Sequence, residues 1–364
     1  MKVEIVCSSR ELFGADRCAL RLAEVLGGLG ADVTLVLPQQ RPEAGLSDEA
    51  RARGIATDIR PVAIASSRGV EEPAAVLRPR RERSQPDLAV LNSTAVLGTA
   101  GAPRKRVLMV REWLEPSSPK HRSLALWHRR NVNAVVGIST GVLGQWRACM
   151  RGPSRQALIP DWLDDDAIPA EPVPAVERSG VVCLGRFNQW KGQGLLADAF
   201  VEAFGDTPED RPRMTFVGAQ PGTPFAGEAD RIAAQGAEGG WEVVPFESDP
   251  SPHLKRAALL VLPSLHPEPF GMVVIEALAL GCRVIAFPGG GPSDLVGSMG
   301  HALEVVSRDQ GTLAAALRGW WDAGGTAQSP DEWARTLAAL RSGWSSAAAS
   351  EHWRPLLRSV VPAA

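Results

Sequence analysis

Two acidic side chains in the carboxyl-terminal half stand in a setting that suits sugar hydroxyls. Glu268 and Glu276 are separated by seven residues, and the first is followed by Pro269-Phe270-Gly271. Glu276 falls inside a predicted apolar helix, where a carboxylate is costly unless it is hydrogen-bonded. A pair of sugar hydroxyls would satisfy it, and the unpaired amides at the start of the same helix could bind an anion. The alternative is a capped helix with an incidental buried glutamate.

Two cations flank a second predicted helix start. Arg186 comes directly after a predicted strand, and Lys191 lies at the mouth of the next helix. Gly185, Gly192 and Gly194 keep the backbone between them accessible. Two cations beside a helix N-terminus make a site for a diphosphate. Either cation alone would be interpreted as a surface charge.

Two series of alternating strands and helices must position these residues. The first series has predicted strands at Val3–Cys7, Val33–Leu37, Leu88–Leu91, Val107–Val110 and Ala134–Ile138. The second has predicted strands at Val181–Leu184, Met214–Val217, Trp241–Phe246, Leu259–Leu262 and Arg283–Phe287. Short apolar runs that alternate with helices predict parallel sheets covered on both faces. The proline-rich, acidic segment 159–180 between the two series is interpreted as a connection between domains.

Three helices of the second series are also marked in the sequence. We expect helices near 193–204, 226–234 and 271–280, from their apolar periodicity and their flanking glycines. Ser329-Pro330, with Glu332 shortly after, predicts the start of a further helix, since the serine and the glutamate can cap each other's backbone.

The stretch from Pro263 to Gly291 resembles the paired-glutamate motif of the retaining glycosyltransferase family four, also called glycosyl transferases group 1. The glutamate spacing, the Pro-Phe-Gly sequence, the Glu-Ala-Leu-Ala helix and the Gly-Gly-Gly-Pro turn carry the resemblance together. It implies an α/β protein with the GT-B fold, in which two Rossmann-like domains enclose a deep interdomain cleft. We expect an acceptor-binding domain at 1–165, a nucleotide-sugar-binding domain at 166–345 and a C-terminal helix at 346–364 that crosses back to the first domain.

The resemblance also implies roles for individual residues. Arg186 and Lys191 would hold the pyrophosphate, and Glu268 would orient the donor sugar, so these three are the predicted catalytic residues. Glu276 would bind the ribose. The positions that would contact the donor are Gly14, Ala15, Gly185, Gly218, Pro269, Phe270, Gly271, Met272, Val273 and Glu276. The family pattern implies retention of anomeric configuration, no metal at the diphosphate and no cofactor beyond the UDP-, GDP- or dTDP-linked substrate.

Some positions depart from the family pattern. Arg111 and Glu112 follow the strand at whose end many members carry a histidine near the reacting carbon. Asp161 begins the pair that replaces the usual Asn-Gly, and Arg283 replaces a usual proline. Arg111, Glu112 and His266 are therefore candidates for the acceptor or sugar side. Arg111 could equally be a structural salt-bridge partner, and His266 an ordinary loop histidine.

Composition and charge limit the class of protein. The 364 residues are 45% hydrophobic and 22% charged, and the five cysteines show no CxxC spacing. No apolar run reaches the roughly 18 residues that span a bilayer. Because the odd number of cysteines without CxxC spacing argues against a disulfide framework, we expect a cytoplasmic protein. The net charge is +6 over residues 1–165 and −8 over the rest. Basic clusters at 78–83, 104–106 and 120–130 could face an anionic membrane at its inner surface or an anionic acceptor. The alternative is a solvated arginine-rich surface, and too few aromatics are interleaved to indicate nucleic acid.

Together with the resemblance, these features predict a glycosyltransferase, and the resemblance implies that it is retaining and metal-independent. It would move a hexose-type sugar from a nucleoside diphosphate to a hydroxyl acceptor such as a glycan, a glycolipid or a natural product. No Asp-x-Asp stands at a strand end, and the acidic run 164–166 lies in the predicted connection. The alternatives are a sugar-nucleotide epimerase, a pseudo-glycosyltransferase that joins cyclitols, and a catalytically silent nucleotide-sugar-binding subunit.

Overall fold

The structure is a computed structural model of the whole chain. It describes residues 1–76, 86–99, 101, 103, 105–150, 155–172, 178–205, 211–220 and 226–361. The predicted basic cluster at 78–83, and Arg104 of the second cluster, lie outside these residues. Contacts between α-carbons divide the chain into two units, Met1–Asp164 with Trp344–Ala364 (unit 1) and Asp165–Gly343 (unit 2).

The strands of unit 1 form a parallel sheet and a small antiparallel sheet. In chain order they are β1 (Lys2–Val6), β2 (Asp32–Pro38), β3 (Ala56–Arg60), β4 (Val62–Ser66), β5 (Gly69–Glu71), β6 (Leu88–Leu91), β7 (Val96–Thr99), β8 (Arg106–Val110), β9 (Ala134–Gly137) and β10 (Gln156–Leu158). Over the described residues, seven of them pair in parallel in the order β10-β9-β8-β6-β1-β2-β3, and β5-β4-β7 pair antiparallel.

Helices alternate with these strands. They are α1 (Gly14–Gly28), α2 (Leu46–Ala52), α3 (Pro119–Asn131) and α4 (Thr140–Cys149). The strands β6 and β9 are buried along their whole length. This is the pattern expected of parallel strands covered on both faces, and it explains why these runs are uniformly apolar.

Unit 2 is built around a second parallel sheet. Its strands are β11 (Val181–Leu184), β12 (Met214–Ala219), β13 (Trp241–Pro245), β14 (Leu259–Leu262), β15 (Arg283–Ala286) and β16 (Leu303–Val305). The described strands pair in parallel in the order β13-β12-β11-β14-β15-β16. The strand order reverses beside β11, so the carboxyl ends of β11 and β14 form the edge at which α/β sheets bind ligands.

The helices of unit 2 are α5 (Gln193–Phe204), α6 (Ala226–Gly239), α7 (Ser251–Arg256), α8 (Met272–Ala279), α9 (Gly290–Met299), α10 (Gln310–Asp322) and α11 (Pro330–Gly343). The predicted cap at the start of α11 is present. Glu332 accepts from the Ser329 amide at 2.8 Å, and its own amide donates to the Ser329 hydroxyl at 3.3 Å.

The last helix, α12 (Ser346–Val360), packs against α1 and so belongs to unit 1. Its Trp353 is fully buried. The Leu163 amide donates to the Trp344 carbonyl at 3.0 Å, which fixes the start of the segment that leads into α12. Among the described helices, none combines the length and apolar character that a bilayer crossing requires.

Candidate active site

Glu268 lies at the centre of a polar cluster at the carboxyl edge of the unit 2 sheet. It is carried by the loop between β14 and α8, and its Oε2 accepts from Lys191 Nζ at 2.6 Å and from Ser264 Oγ at 2.9 Å. The side chains of Lys191 and Glu268 are 18% and 12% exposed, so the ion pair is reachable by solvent yet largely shielded from it. The structure thus joins two residues that lie far apart in sequence and were both predicted as catalytic.

The loop that carries Lys191 is held in shape by its own polar groups. The Lys191 amide donates to Asn188 Oδ1 at 2.9 Å and to the Asn188 carbonyl at 3.1 Å. The side-chain amide of the buried Gln193 donates to the carbonyls of Gly185 at 3.4 Å and Arg186 at 3.1 Å. Arg186 itself is exposed. The two predicted cations therefore lie on one constrained loop that leads directly into α5.

An aromatic side chain places the ammonium group. Lys191 Nζ lies 4.1 Å from the ring centroid of Trp190, within the range of a cation–π interaction. The Leu265 amide donates to the Trp190 carbonyl at 2.7 Å, which ties this loop to the loop that carries Glu268. Trp190 and Leu265 are thus bracing residues of the cluster that the sequence did not reveal.

Close backbone packing requires glycine at two positions. Gly192 precedes α5 with φ +74°, and a Cβ there would lie 2.0 Å from the Pro263 carbonyl oxygen. Gly218 lies near the end of β12 with φ +120°, and a Cβ there would lie 2.4 Å from the Gly185 carbonyl oxygen. Side chains at these positions would push apart the loops that form the cluster. Gly185 and Gly218, both predicted as donor-binding, therefore face each other across the ends of β11 and β12.

The helix α8 presents one polar face. Gly271 is its N-cap residue with φ +81°, and its first amides lack helical partners, so they can donate to an anion. Met272, Val273 and Glu276 are half-exposed, whereas Val274 and Ile275 on the opposite side are buried. Glu276 is thus not the incidental buried glutamate of the alternative interpretation, because the period of the helix turns this position away from the core.

The remaining unit 2 candidates lie around Glu268. Pro269 is half-exposed, and the buried Phe270 anchors the loop in the core. His266 is exposed on the same loop. The predicted residues of unit 2 are thus found around one edge of one sheet.

The unit 1 candidates form a separate buried network. Arg111 Nη1 pairs with Asp161 Oδ1 at 2.5 Å, and its Nε donates to Asn92 Oδ1 at 2.8 Å. Asn92 Nδ2 donates in turn to the Ala15 carbonyl at 3.1 Å, beside Gly14 at the start of α1. Burial lowers the pKa of Arg111, but Asp161, with smaller contributions from Cys18 and Glu112, raises it by more in total. The net shift of the pKa is therefore upward, and the guanidinium stays charged.

Glu112 closes the turn after β6. Its carboxylate accepts from the Ser93 hydroxyl, and from the Thr94 amide at 3.1 Å and hydroxyl at 2.7 Å. The Arg111 amide also donates to it at 3.2 Å. The ion pair with Asp161 favours the salt-bridge interpretation of Arg111 that the sequence left open, and the bonds of Glu112 give this side chain a structural role as well. Arg111 Nη2 nevertheless has no hydrogen-bond partner among the described residues, although it is buried.

The acidic residues of the connection are engaged elsewhere. Asp164 accepts from Arg21 Nε at 3.2 Å, and Asp165 begins a short 3₁₀ turn that ends at Ala167. No group of three or more His, Cys, Asp or Glu side chains within the described ranges is arranged to hold a metal ion.

A known family model matches the part of the chain that carries the loops of Lys191 and Glu268. Residues 178–322 match the model described as Glycosyl transferases group 1. The match confirms the resemblance on which the site residues were predicted, and it contains both loops that meet at Glu268.

Curated relatives also match only part of this chain. The D-inositol 3-phosphate glycosyltransferase of Geodermatophilus obscurus is 32% identical over 183 residues, which are 46% of this chain and 40% of that protein. The sucrose-phosphate synthase of Spinacia oleracea is 42% identical over 50 residues, 14% of this chain and 5% of that protein. The matched part thus spans less than half the length of either relative.

Solved structures match nearly the whole chain. The Anabaena protein Alr3699/HepE, crystallised with UDP and glucose, has a TM-score of 0.78 at 19% identity over 99% of this chain and all of that one. The sucrose-phosphate synthase of Thermosynechococcus elongatus has a TM-score of 0.70 at 18% identity over 99% of both chains. At these identities the likeness concerns the fold, and it confirms the predicted GT-B fold of two Rossmann-like domains.

Proposed function

We propose that this protein is a glycosyltransferase that moves a hexose-type sugar from a nucleoside-diphosphate donor to a hydroxyl acceptor. The observation that carries the proposal is the contact of Lys191 with Glu268 where the loops before α5 and α8 meet. A cation for the diphosphate and a carboxylate for the sugar hydroxyls then stand side by side. Beside them lie the N-termini of α5 and α8, each of which is preceded by a glycine N-cap residue.

The proposed chemistry follows from the charges in the cluster. As the glycosidic bond breaks, negative charge grows on the leaving diphosphate, and Lys191, Arg186 and helix-terminal amides would meet it. The sugar would pass through an oxocarbenium-like state, as in other glycosyl transfers. We propose retention of configuration, with the departing phosphate oxygen taking the acceptor proton, and no metal or cofactor.

The two glutamates would have different tasks. Glu268 shares the Lys191 ammonium and the Ser264 hydroxyl through one oxygen, Oε2. Its other oxygen would accept from a sugar hydroxyl and so orient the donor. Glu276, on the half-exposed face of α8, would bind the ribose. An intact carboxylate and cation in direct contact argue against a catalytically silent subunit.

The acceptor side is proposed to lie in unit 1. The unpaired Nη2 of Arg111 could donate to an acceptor group, and the exposed face of α3 could contact an anionic membrane. That face carries Leu126 and Trp127, which are 48% and 37% exposed, between the exposed side chains of Lys120 and Arg130. We propose a cytoplasmic enzyme that can bind such a surface peripherally.

A donor screen tests the proposed function. UDP, GDP and dTDP are compared by thermal shift, and their glucose or mannose conjugates by release of the diphosphate. UDP-glucose is tested first because the Anabaena protein was also solved with it. A diphosphate present at 100 times its Kd should add about 2.7 kcal/mol of stability. If no diphosphate shifts the melting temperature and no conjugate is consumed, the proposal is wrong.

A further inference from the structure

Arg308 joins the ends of two neighbouring strands of the unit 2 sheet. It lies between β16 and α10, and its Nε donates to the Ser264 carbonyl at 3.1 Å. Its Nη2 donates to the Pro288 carbonyl at 2.5 Å. Ser264 follows β14 and Pro288 follows β15, so one guanidinium reaches from beyond β16 across both strand ends.

Both of these carbonyls belong to residues in or next to the loop that carries Glu268. Ser264, which is 2% exposed, donates its hydroxyl to Glu268 Oε2. Pro288 precedes the three glycines 289–291 at the start of α9, which pack on the loop that carries Glu268. A Cβ on Gly290 would lie 1.8 Å from the Glu268 carbonyl oxygen. A shift at either strand end would therefore reach the Glu268 backbone or its side chain.

The chemistry of the contact requires a guanidinium. A lysine offers a flexible point charge, whereas an arginine offers several donors in one rigid plane. The charge of Arg308 is directed at carbonyls, since no carboxylate of the described residues forms an ion pair with it. Its Cζ also lies 6.0 Å from the ring centroid of Phe287, which borders the same strand end.

We infer that Arg308 is a positioning residue for Glu268, acting through the carbonyls of Ser264 and Pro288. The predicted effect of Arg308 on turnover rests on the proposed function. The geometry itself predicts that loss of the guanidinium loosens the segment 264–271, whatever the reaction is. A misplaced catalytic group slows the chemical step more than it weakens donor binding, because binding energy comes from many contacts.

The test compares Arg308→Gln and Arg308→Lys with a matched control at the other end of β15. Arg283 Nη1 donates to the His301 carbonyl at 3.0 Å and its Nη2 pairs with Glu332 at 2.6 Å, so it also bridges elements of unit 2. Hydrogen exchange of the amides in 264–271 and the kinetics of UDP-glucose, GDP-mannose or dTDP-glucose cleavage are measured for each variant and the wild type.

We expect Arg308→Gln to speed amide exchange in 264–271 and to lower kcat about tenfold, while KM changes less than threefold. Arg308→Lys should resemble Arg308→Gln, because one ammonium cannot hold both carbonyls. Arg283→Gln should lower Tm without either effect.

Two results would overturn the inference. The first is wild-type exchange of 264–271 in Arg308→Gln, and the second is full rescue of exchange and kcat by Arg308→Lys. If the wild type cleaves no nucleotide-sugar, the proposed function fails instead, and the exchange data alone decide the role of Arg308.

Discussion

At the scale of single residues, two departures from the family pattern turn out to be partners. Arg111 stands near the place of the usual histidine and Asp161 in place of the usual asparagine, and they form one buried ion pair. Each departure viewed alone in the sequence is unexplained. Together they are a compensated change, because a buried charge persists only when it is paired.

This pairing leads to a prediction about stability. Arg111→Met and Asp161→Asn should each destabilise unit 1 by about 3–5 kcal/mol, because each leaves the other charge buried and uncompensated. The double variant should lose much less than the sum. Unfolding in urea, followed for the three variants and the wild type, measures the coupling. Additive losses would show that the pair contributes no specific interaction.

The two glutamates can be separated by conservative variants. Glu276→Gln should weaken UDP binding by about 1–3 kcal/mol, since it loses charge-assisted hydrogen bonds to the ribose. Glu268→Gln should leave UDP affinity nearly unchanged and depress turnover of the intact nucleotide-sugar, because its side chain serves the sugar. Isothermal titration with UDP compares both variants with the wild type. Equal losses of UDP affinity would mean that these roles are assigned wrongly.

The sequence predicted which residues carry charge at this site but not what braces them. Arg186 and Lys191 stand in one recognisable motif and Glu268 in another, each with a characteristic spacing. Ser264 and Arg308 are 44 residues apart, and their contact depends on the order of the strands. No local pattern reports that order, so positioning residues of this kind become visible only in three dimensions.

At the scale of helices and strands, the central strands of both parallel sheets were predicted closely, whereas of the four described edge strands only β13 was predicted. The predicted strands Leu88–Leu91, Val181–Leu184 and Leu259–Leu262 match the structure residue for residue. The edge strand β3 was not predicted, because it is half exposed and polar. Edge strands bury only one side, so they lack the apolar run that marks a central strand.

Tertiary packing extended one helix beyond its prediction. The helix expected near 226–234 continues to Gly239 as α6, across glycines that would ordinarily end a helix. At Gly236 a Cβ would lie 2.7 Å from the Trp241 ring, and Trp241 Nε1 donates to the Ile232 carbonyl at 2.8 Å. The indole therefore packs over the glycine and stabilises the turn that helix propensity disfavours.

The helix α3 offers a test of membrane binding. Each cation near an anionic surface contributes about 1 kcal/mol, and salt screens this attraction. The protein should therefore sediment with phosphatidylserine vesicles at low salt and less at high salt. Leu126→Ser and the double change Arg122→Gln with Arg130→Gln should each reduce the bound fraction.

Matched controls lie elsewhere on unit 1. Leu158→Ser removes a comparably exposed leucine, and Arg51→Gln with Arg68→Gln removes two exposed cations. These variants should bind vesicles like the wild type. Absence of binding at low salt would leave a small soluble acceptor as the better proposal for unit 1.

At the scale of the whole molecule, the two parallel sheets carry different kinds of polar cluster at their carboxyl edges. In unit 2, the loops after β11 and β14 bring a cation and a carboxylate together in front of helix N-termini. In unit 1, the corresponding strand ends carry an ion pair and a capped turn that are largely satisfied internally. The family model matches residues of unit 2, and the sequence predicted more of the proposed donor side there than of the proposed acceptor side in unit 1.

The most direct measurement of the central claim is donor cleavage in EDTA by the wild type, Lys191→Ala and Arg186→Ala. The wild type should remain active, because the leaving charge is met by side chains and amides. Each variant should lose turnover by a factor of about 100 or more, as on loss of an oxyanion donor. Arg283→Gln serves as the control for a removed unit 2 cation. Complete loss of wild-type activity in EDTA, or near-normal turnover in both site variants, would contradict the account.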